Sequence, residues 1–318
     1  MILPTFADVQ AAADRIAHAV RRTPLFRDDA LSERLEADIY VKAECLQRFG
    51  AFKLRGAFNK LAAMPEDVRA NGVLAFSSGN HAIAVSAAAK HFGVSATIVM
   101  PADAPRAKME RVKALDGEVV PYDRVTEDRE AIGAKIAAER GLPIVKPFDD
   151  PYIIAGQGTA GLEIAQEIEP DIVMAPASGG GLATGIALAV KHLHPGAVVY
   201  AVEPQGHDDI ARSLAAGSIQ TNEPGVRSIC DALLVDRMGA APFALARANL
   251  AGALTVSDDE VRAAMRHAFT ELRLVLEPSG AAALAALMAG RVDARGKTVA
   301  IVASGGNVDA AAYAAAIA

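Results

Sequence analysis

Short apolar runs alternate with helical patterns along most of this chain. Gly, Pro or Asn bounds each run, as is typical of β-strands. Several runs are apolar on both faces and are separated by ten or more helix-forming residues, as parallel strands joined by helical crossovers require. The pattern predicts a doubly wound α/β fold. Its strands are expected at 39–43, 73–76, 96–100, 118–121, 172–175, 198–202 and 299–303.

The chain is expected to open with a helix and to form two unequal domains. Thr5 and Asp8 have the spacing of a capping box, and helical spacing continues until Thr23 and Pro24. Pro and Gly cluster around 64–73 and again around 143–151, which indicates domain boundaries. We therefore expect a small α/β domain at 66–146, inserted into a larger domain formed by 1–65 and 147–318.

Composition and charge narrow the class of protein. With 318 residues, of which 52% are hydrophobic, the chain can bury a large core. Its 32 basic and 38 acidic residues form no Lys/Arg block suited to nucleic acid or a membrane surface. Cys45 and Cys230 lack the spacing of a metal knuckle or a disulfide framework, and no signal peptide or membrane span is recognised. These features predict a cytoplasmic protein.

Four predicted strand ends carry polar, glycine-rich sequence. In an open α/β sheet, ligands bind beyond the carboxyl ends of the strands, where glycine lets the backbone approach. A single Gly-Gly pair is more often an ordinary turn, but four such segments in one chain indicate a ligand site. The segments are Ser77-Ser78-Gly79-Asn80-His81, Ser178-Gly179-Gly180-Gly181, 203–209 and Ser304-Gly305-Gly306-Asn307.

Two local patterns suggest a phosphate-binding loop and a lysine with a reactive amine. The Ser-Gly-Gly-Gly run, followed by a helix near Leu182, offers consecutive N–H groups to a phosphate. No dinucleotide fingerprint or P-loop lysine accompanies it, so a cofactor other than NAD or ATP is expected. Lys53 lies between apolar neighbours at the start of a predicted helix, where burial would lower its pKa. Taken alone, a Lys near an Arg more often lies on a solvated helix face.

Together these segments, with Phe52-Lys53-Leu54-Arg55-Gly56-Ala57, resemble the serine/threonine dehydratases that depend on pyridoxal phosphate. The resemblance implies an α/β enzyme of fold type II, in which a large and a small domain close over the cofactor, usually as a homodimer. It implies a lyase that eliminates water from a small hydroxy amino acid, giving ammonia and a 2-oxo acid. Cysteine synthases are less similar, because Arg55 and His81 occupy positions where they commonly have Asp and Thr.

The substrate stays open among related alternatives. Threonine or serine is expected first, and 3-hydroxyaspartate second, because Ala51 in Gly-Ala-Phe-Lys replaces the frequent Ser. A serine or aspartate racemase is a further alternative. A protein that binds pyridoxal phosphate or an amino acid without turnover is an alternative of another class.

The resemblance also assigns roles to residues of the cofactor site. It implies that Lys53 is the Schiff-base lysine, that Phe52 packs on the ring, and that Asn80 bonds the ring hydroxyl. Ser304 would contact the pyridine nitrogen, where a neutral hydroxyl makes the ring a weaker electron sink and favours elimination over transamination. The phosphate loop implied is Ser178, Gly179, Gly180, Gly181 and Leu182.

The resemblance also implies a substrate site. Ser77, Ser78, Gly79, Asn80 and His81 would receive the substrate carboxylate through N–H groups at a helix N-terminus. Ser78 would lie opposite Lys53, either as an acid/base or as a carboxylate-binding residue.

A loop after another strand resembles a divalent-cation site. Glu203, Asp209 and the His207 carbonyl would supply oxygen ligands to Mg²⁺ or Ca²⁺. Without the resemblance, two acidic residues in a loop are more often simply solvated.

Overall fold

The computed structural model describes residues 2–77, 79–104, 106–123 and 125–318. Helices and strands alternate along most of the chain. The helices are α1 (Phe6–Ile16), α2 (Asp29–Leu35), α3 (Lys53–Ala63), α4 (Glu66–Ala70), α5 (Asn80–His91), α6 (Arg106–Ala114), α7 (Arg129–Arg140), α8 (Pro151–Glu167), α9 (Gly181–Leu193), α10 (Asp209–Ala216), α11 (Ala240–Asn249), α12 (Asp258–Thr270), α13 (Pro278–Met288) and α14 (Ala310–Ile317). The strands are β1 (Leu25–Arg27), β2 (Asp38–Lys42), β3 (Val73–Phe76), β4 (Ala96–Pro101), β5 (Gly117–Tyr122), β6 (Ile172–Pro176), β7 (Val198–Pro204), β8 (Gly252–Val256) and β9 (Thr298–Val302).

The strands of the described residues form two sheets. The large sheet has six strands in the order β1-β2-β9-β6-β7-β8, and the small sheet has the order β3-β4-β5. Paired strands run parallel, except that β1 is antiparallel to β2. Because β9, β6 and β7 are adjacent and parallel, the loops that follow these three strands lie side by side at one edge of the large sheet.

Helices cover both faces of the large sheet. Val299 and Ile301 of β9 pack with α12 and α13, whereas Ala300 and Val302 pack with α8 and α9. Alternate side chains of a strand point to opposite faces of the sheet. β9 is apolar at successive positions because it is buried on both faces. The helices α8 and α9 are in close contact, since a Cβ on Gly161 would lie 2.7 Å from the Ile186 Cα.

The predicted doubly wound α/β fold is confirmed, and each predicted strand is present within two residues of its expected bounds. The predicted extent of the first helix was wrong. Its capping box at Thr5 is present, but α1 ends at Ile16, because Ala19 and Val20 turn back to the Ile16 carbonyl and residues 25–27 pair with β2.

The small sheet lies within 73–122, and the large sheet is built from strands on either side of it. The domain boundaries at 66 and 146 stay a prediction. Within the described ranges, no helix is both long enough and apolar enough to cross a membrane.

Candidate active site

The start of α3 is joined to the loop after β9. Ala51 and Gly305 form an antiparallel bridge, and the Phe52 amide donates to the Ser304 carbonyl at 3.1 Å. Ser304 is 5% exposed, and its own amide donates to the Gly280 carbonyl at 3.3 Å. These backbone bonds hold Phe52, Lys53 and Ser304 beside one another at the carboxyl edge of the large sheet.

Lys53 is the first residue of α3, and its amine faces the interior of the site. Its Nζ donates a hydrogen bond of 2.8 Å to the Pro147 carbonyl and lies 5.1 Å from the centre of the Phe52 ring. Burial lowers the pKa of Lys53 from 10.5 to about 8. At pH 7 roughly a tenth of the amine is therefore unprotonated, far more than for an ordinary lysine, and the neutral amine is the form that a nucleophile or base requires.

The glycine loop between β6 and α9 presents free backbone donors. The amides of Ser178, Gly179 and Gly180 donate to no backbone acceptor in the described part of the chain, and Gly180 has a φ of 89°. The Phe148 ring occupies the space that a Cβ on Gly179 would need, so this position requires glycine. The Ser178 hydroxyl accepts from the Val235 amide at 3.2 Å, and Leu182 is buried in the core.

These groups fit pyridoxal phosphate by their chemistry. Unpaired amides beside the N-terminus of α9 suit a phosphate by their donors and by the helix dipole. A lysine whose pKa is lowered by burial suits an aldehyde, because only the neutral amine reacts with it.

Asn80, the first residue of α5, is part of a chain of hydrogen bonds that begins at a buried carboxyl group and ends at an exposed arginine. Its Nδ2 donates to Glu277 Oε1 at 2.5 Å, and its Oδ1 accepts from Asn307 Nδ2 at 2.8 Å. Asn307 Oδ1 in turn accepts from Arg111 at 2.7 Å. Glu277 was not predicted, and no local motif marks it except the helix-starting proline that follows. Asn307 ends the Ser304-Gly305-Gly306-Asn307 segment but was given no role.

The predicted substrate-carboxylate loop lies at the N-terminus of α5. The Ser77 amide donates to the Val99 carbonyl, and the Gly79 amide donates to the Ser77 hydroxyl at 3.2 Å. Two of the predicted donors are therefore engaged within the protein, which leaves the first-turn amides of α5 for a ligand. Ser78 lies outside the described residues, so both of its suggested roles stay predictions.

His81 is a neutral, buried imidazole beside this loop. Its Nε2 lies 2.9 Å from the Val145 carbonyl. Burial, with a contribution from the charge of Lys53, lowers the pKa of His81 to about 3. The side chain therefore adds no positive charge to the loop, and a role in binding a carboxylate would belong to its backbone amide.

A cluster of four buried charges lies beneath α3. Arg55 contacts Glu44 at 2.8 Å and Glu163 at 2.7 Å, while Lys42 Nζ contacts Glu163 at 2.7 Å. The Thr23 hydroxyl also donates to Glu44. Arg55, Lys42 and Glu44 are fully buried. The cluster anchors the turn of helix that carries Lys53, two residues before Arg55.

The candidate metal loop follows β7 and leads into α10. Glu203 is fully buried and accepts from two amides of the first turn of α10, at 2.9 and 3.0 Å. Asp209 accepts from Asn222 Nδ2 and from the Met238 amide, each at 2.7 Å. Burial raises the pKa of Glu203 to about 8 and that of Asp209 to about 6. The His207 ring, by contrast, lies 3.1 Å from the Val226 carbonyl.

Two buried carboxylates and a backbone carbonyl are the oxygen donors that a hard cation prefers. The described residues contain no group of three or more His, Cys, Asp or Glu side chains able to hold a metal ion. A cation here would therefore depend on the carbonyl of His207 as well as on Glu203 and Asp209.

A cleft of about 940 Å³ opens beside Pro147 and Phe148, and three cations line it: Arg129, Lys146 and Arg237. The Arg129 guanidinium lies 5.8 Å from the centre of the Phe76 ring. Phe76 directly precedes Ser77, the first residue of the predicted substrate-carboxylate loop. Within the described residues Arg129 forms no salt bridge, whereas Lys146 lies 4.0 Å from Asp149. Carboxylates of the same wall bond backbone amides, as Asp128 does at the start of α7 and Asp149 does at α11.

Comparison with known proteins agrees with this geometry. The family described as "Pyridoxal-phosphate dependent enzyme" matches residues 16–305. The chain is 42% identical to the L-threo-3-hydroxyaspartate ammonia-lyase of Saccharomyces cerevisiae, over 99% of this chain and 96% of that protein. It is 39% identical to the serine racemase of Schizosaccharomyces pombe, over 99% and 97%. The structure of maize serine racemase superposes with a TM-score of 0.93 at 36% identity, covering 98% of this chain and 95% of that one.

Proposed function

Because this chain belongs to the family of pyridoxal-phosphate dependent enzymes, which confirms the expected fold type II, we propose that it is an ammonia-lyase acting on 3-hydroxyaspartate. Elimination removes the Cα proton and the β-hydroxyl as water. Hydrolysis of the released enamine then gives ammonia and a 2-oxo acid. The similarity to the yeast L-threo-3-hydroxyaspartate ammonia-lyase supports this substrate. Threonine and serine, expected first from the motifs, become the second candidates.

The observation that carries the choice of substrate is the guanidinium of Arg129, which forms no salt bridge with the residues that the structure describes. It packs on Phe76, and the next residue along the chain is Ser77, where the carboxylate loop begins. A substrate with its α-carboxylate at the N-terminus of α5 would direct a second carboxylate toward this cation. Serine and threonine carry no such group, so Arg129 would recognise only the dicarboxylic substrate.

Lys53 would carry the proton transfer. When bound, pyridoxal phosphate supplies an electron sink for the pair left by the Cα proton. The neutral amine of Lys53, held by the Pro147 carbonyl, would bind the cofactor covalently. Once the substrate amine replaces it there, the freed Nζ would accept the Cα proton. The amides of the glycine loop would hold the phosphate, and Ser304 would face the pyridine nitrogen without a charge.

The substrate is tested by comparing kcat/KM for 3-hydroxyaspartate, serine and threonine, supplied as separate stereoisomers, from the rate of 2-oxo acid release. Arg129→Gln should lower kcat/KM for 3-hydroxyaspartate on the order of 100-fold, since a charged hydrogen bond contributes about 1.5–3 kcal/mol, and should change serine and threonine little. Arg247→Gln is the matched control, because Arg247 also packs on a phenylalanine, 5.9 Å from the Phe243 ring centre, outside the cleft lining. An equal loss of kcat/KM on all three substrates would show that Arg129 does not recognise the second carboxylate of the substrate.

The divalent cation predicted at Glu203 is part of this proposal. Burial raises the pKa of Glu203 to about 8, so this carboxyl would be ionised near neutral pH only with a cation beside it. No described cationic side chain contacts Glu203 or Asp209, and a divalent ion would supply that charge. The site lies at the start of α10, so the ion would order this loop rather than enter the reaction.

A further inference from the structure

Glu277 carries a buried carboxyl group, and the described residues provide a hydrogen-bond partner to only one of its two oxygens. The residue precedes α13 and is 2% exposed. Its Oε1 accepts from Asn80 at 2.5 Å, but its Oε2 has no hydrogen-bond partner among the described residues. Burying a carboxyl oxygen without a partner is costly, so it usually accompanies a ligand or a functional role.

The carboxyl group fixes the orientation of the Asn80 amide. An ionised carboxylate can only accept hydrogen bonds, so the NH₂ group of Asn80 must face Glu277. On the other side, Asn307 Nδ2 donates to Asn80 Oδ1 and to the Phe49 carbonyl, each at 2.8 Å. Arg111 fixes Asn307 in turn by donating to its Oδ1 at 2.7 Å. Asn80 therefore keeps one amide N–H for a further acceptor.

Glu277 also lies against the loop that carries Ser304. Its amide donates to the Gly305 carbonyl at 3.1 Å, and a Cβ on Gly305 would overlap its Oε1. The carboxyl group thus lies between Asn80, expected to face the ring hydroxyl, and Gly305, which directly follows Ser304, the residue expected to face the ring nitrogen.

We propose that Glu277 is a positioning residue of the cofactor site, whose carboxylate directs one N–H of Asn80 toward the ring hydroxyl of pyridoxal phosphate. This inference rests on the proposed function, because it takes pyridoxal phosphate as the ligand. The charged groups that face Glu277 are Lys108 of α6 and Asp231, which pair with each other at 2.8 Å.

Protonation of Glu277 should weaken its hold on the orientation of the Asn80 amide. Burial raises the pKa of Glu277 to about 7, Lys108 and the Asn80 hydrogen bond oppose that rise, and Asp231 adds to it. A protonated carboxyl can donate as well as accept, so Glu277 then no longer dictates the orientation of the Asn80 amide, which only the hydrogen bond from Asn307 still holds. The visible absorbance of the bound cofactor, which reports the hydrogen bonding of its ring, should accordingly change with pH near 7.

The test compares the full-length wild type with Glu277→Gln and Asp231→Asn. Both variants remove a negative charge from the same neighbourhood, but only Glu277 contacts Asn80. Two readouts that need no turnover are measured, the Kd of the apoprotein for pyridoxal phosphate and the pH titration of the bound cofactor's absorbance. Glu277→Gln should raise the Kd about tenfold and abolish the titration near 7. Asp231→Asn should keep the titration and change the Kd by less than about threefold.

Two outcomes would overturn the inference. One is a Glu277→Gln protein with the wild-type Kd and titration, and the other is an equal change in Asp231→Asn. If Glu277→Gln does not fold, Asn307→Ala decides, because it frees Asn80 from the opposite side and should also raise the Kd. A wild-type Kd and titration in Asn307→Ala would then overturn the inference. A wild type that binds no pyridoxal phosphate would instead reject the proposed function.

Discussion

Lys53 Nζ and the Pro147 carbonyl are joined by a hydrogen bond of 2.8 Å that spans 94 positions of sequence. We predict that Lys53→Ala abolishes covalent cofactor attachment and lowers elimination on the order of 10⁴-fold, the upper range for losing a positioned base. Visible absorbance and 2-oxo acid release measure the two effects. Lys60→Ala, which alters a lysine of the same helix paired with Asp150 at 2.6 Å, should leave both nearly unchanged. Normal turnover by Lys53→Ala would contradict the assignment of the lysine.

The lowered pKa of Lys53 predicts how cofactor loading depends on pH. Its value of about 8, against an ordinary 10.5, means that the neutral amine becomes the major form above about pH 8. The initial rate of loading, followed by absorbance at fixed pyridoxal phosphate, should rise about tenfold per pH unit below the pKa and level off above it. A rate that keeps rising to the ordinary lysine pKa would show an unperturbed amine.

The contact between Gly179 and the Phe148 ring predicts the effect of a methyl group at the glycine loop. Gly179→Ala must displace the ring or the loop, a strain of about 1–3 kcal/mol, so the Kd for pyridoxal phosphate should rise about 10- to 100-fold. Gly196→Ala is the control, because nothing lies within 4 Å of the added methyl group. Equal effects of the two substitutions would contradict the proposed phosphate loop.

A bound cation at Glu203 predicts that chelation destabilises the protein. Selective binding to the folded state contributes about 3 kcal/mol when the free ion is about 100-fold above its Kd. A chelator should therefore lower the melting temperature of the wild type. Glu203→Gln should lose this response, while Asp208→Asn, which removes a neighbouring carboxylate paired with Arg212 at 3.0 Å, should keep it. An unchanged wild-type melting curve, with no cation found by elemental analysis, would leave the loop as a solvated turn.

The buried charge cluster predicts a large loss of stability when Arg55 is removed. Arg55→Met should lower the free energy of unfolding by about 3–5 kcal/mol, because Glu44 and Glu163 lose a partner while staying buried. Arg27→Met removes an exposed pair with Asp38 and should change stability little. Denaturant unfolding of the two variants measures the difference. Similar losses in both would mean that water reaches the cluster.

Most strands could be predicted because they are apolar on both faces, as β6 and β9 are. β1 was missed because it has only three residues, and β8 because it begins with Gly252 and is buried fully only at Val256. An edge position leaves such strands without a continuous apolar run.

Within the candidate site, the sequence could point to Lys53 and the glycine loop because each lies in one continuous segment, and their roles stay predictions. The bond from Asn80 to Glu277 joins residues 197 positions apart, and no local pattern reports such a contact. Arg129 was missed for the same reason, since its relation to Phe76 depends on the packing of α7. The homodimer and the cytoplasmic location remain predictions.

The charge cluster beneath α3 also constrains how natural variants of this chain can differ. Lys42 and Arg55 are matched by Glu44 and Glu163, so two positive charges meet two negative ones inside the protein. Replacing one member alone leaves an unpaired charge away from water. Over evolutionary time these four positions should therefore be retained or exchanged as a set. An alignment of natural homologues should show them covarying with one another, whereas Lys53, two residues before Arg55, should stay fixed by its chemistry.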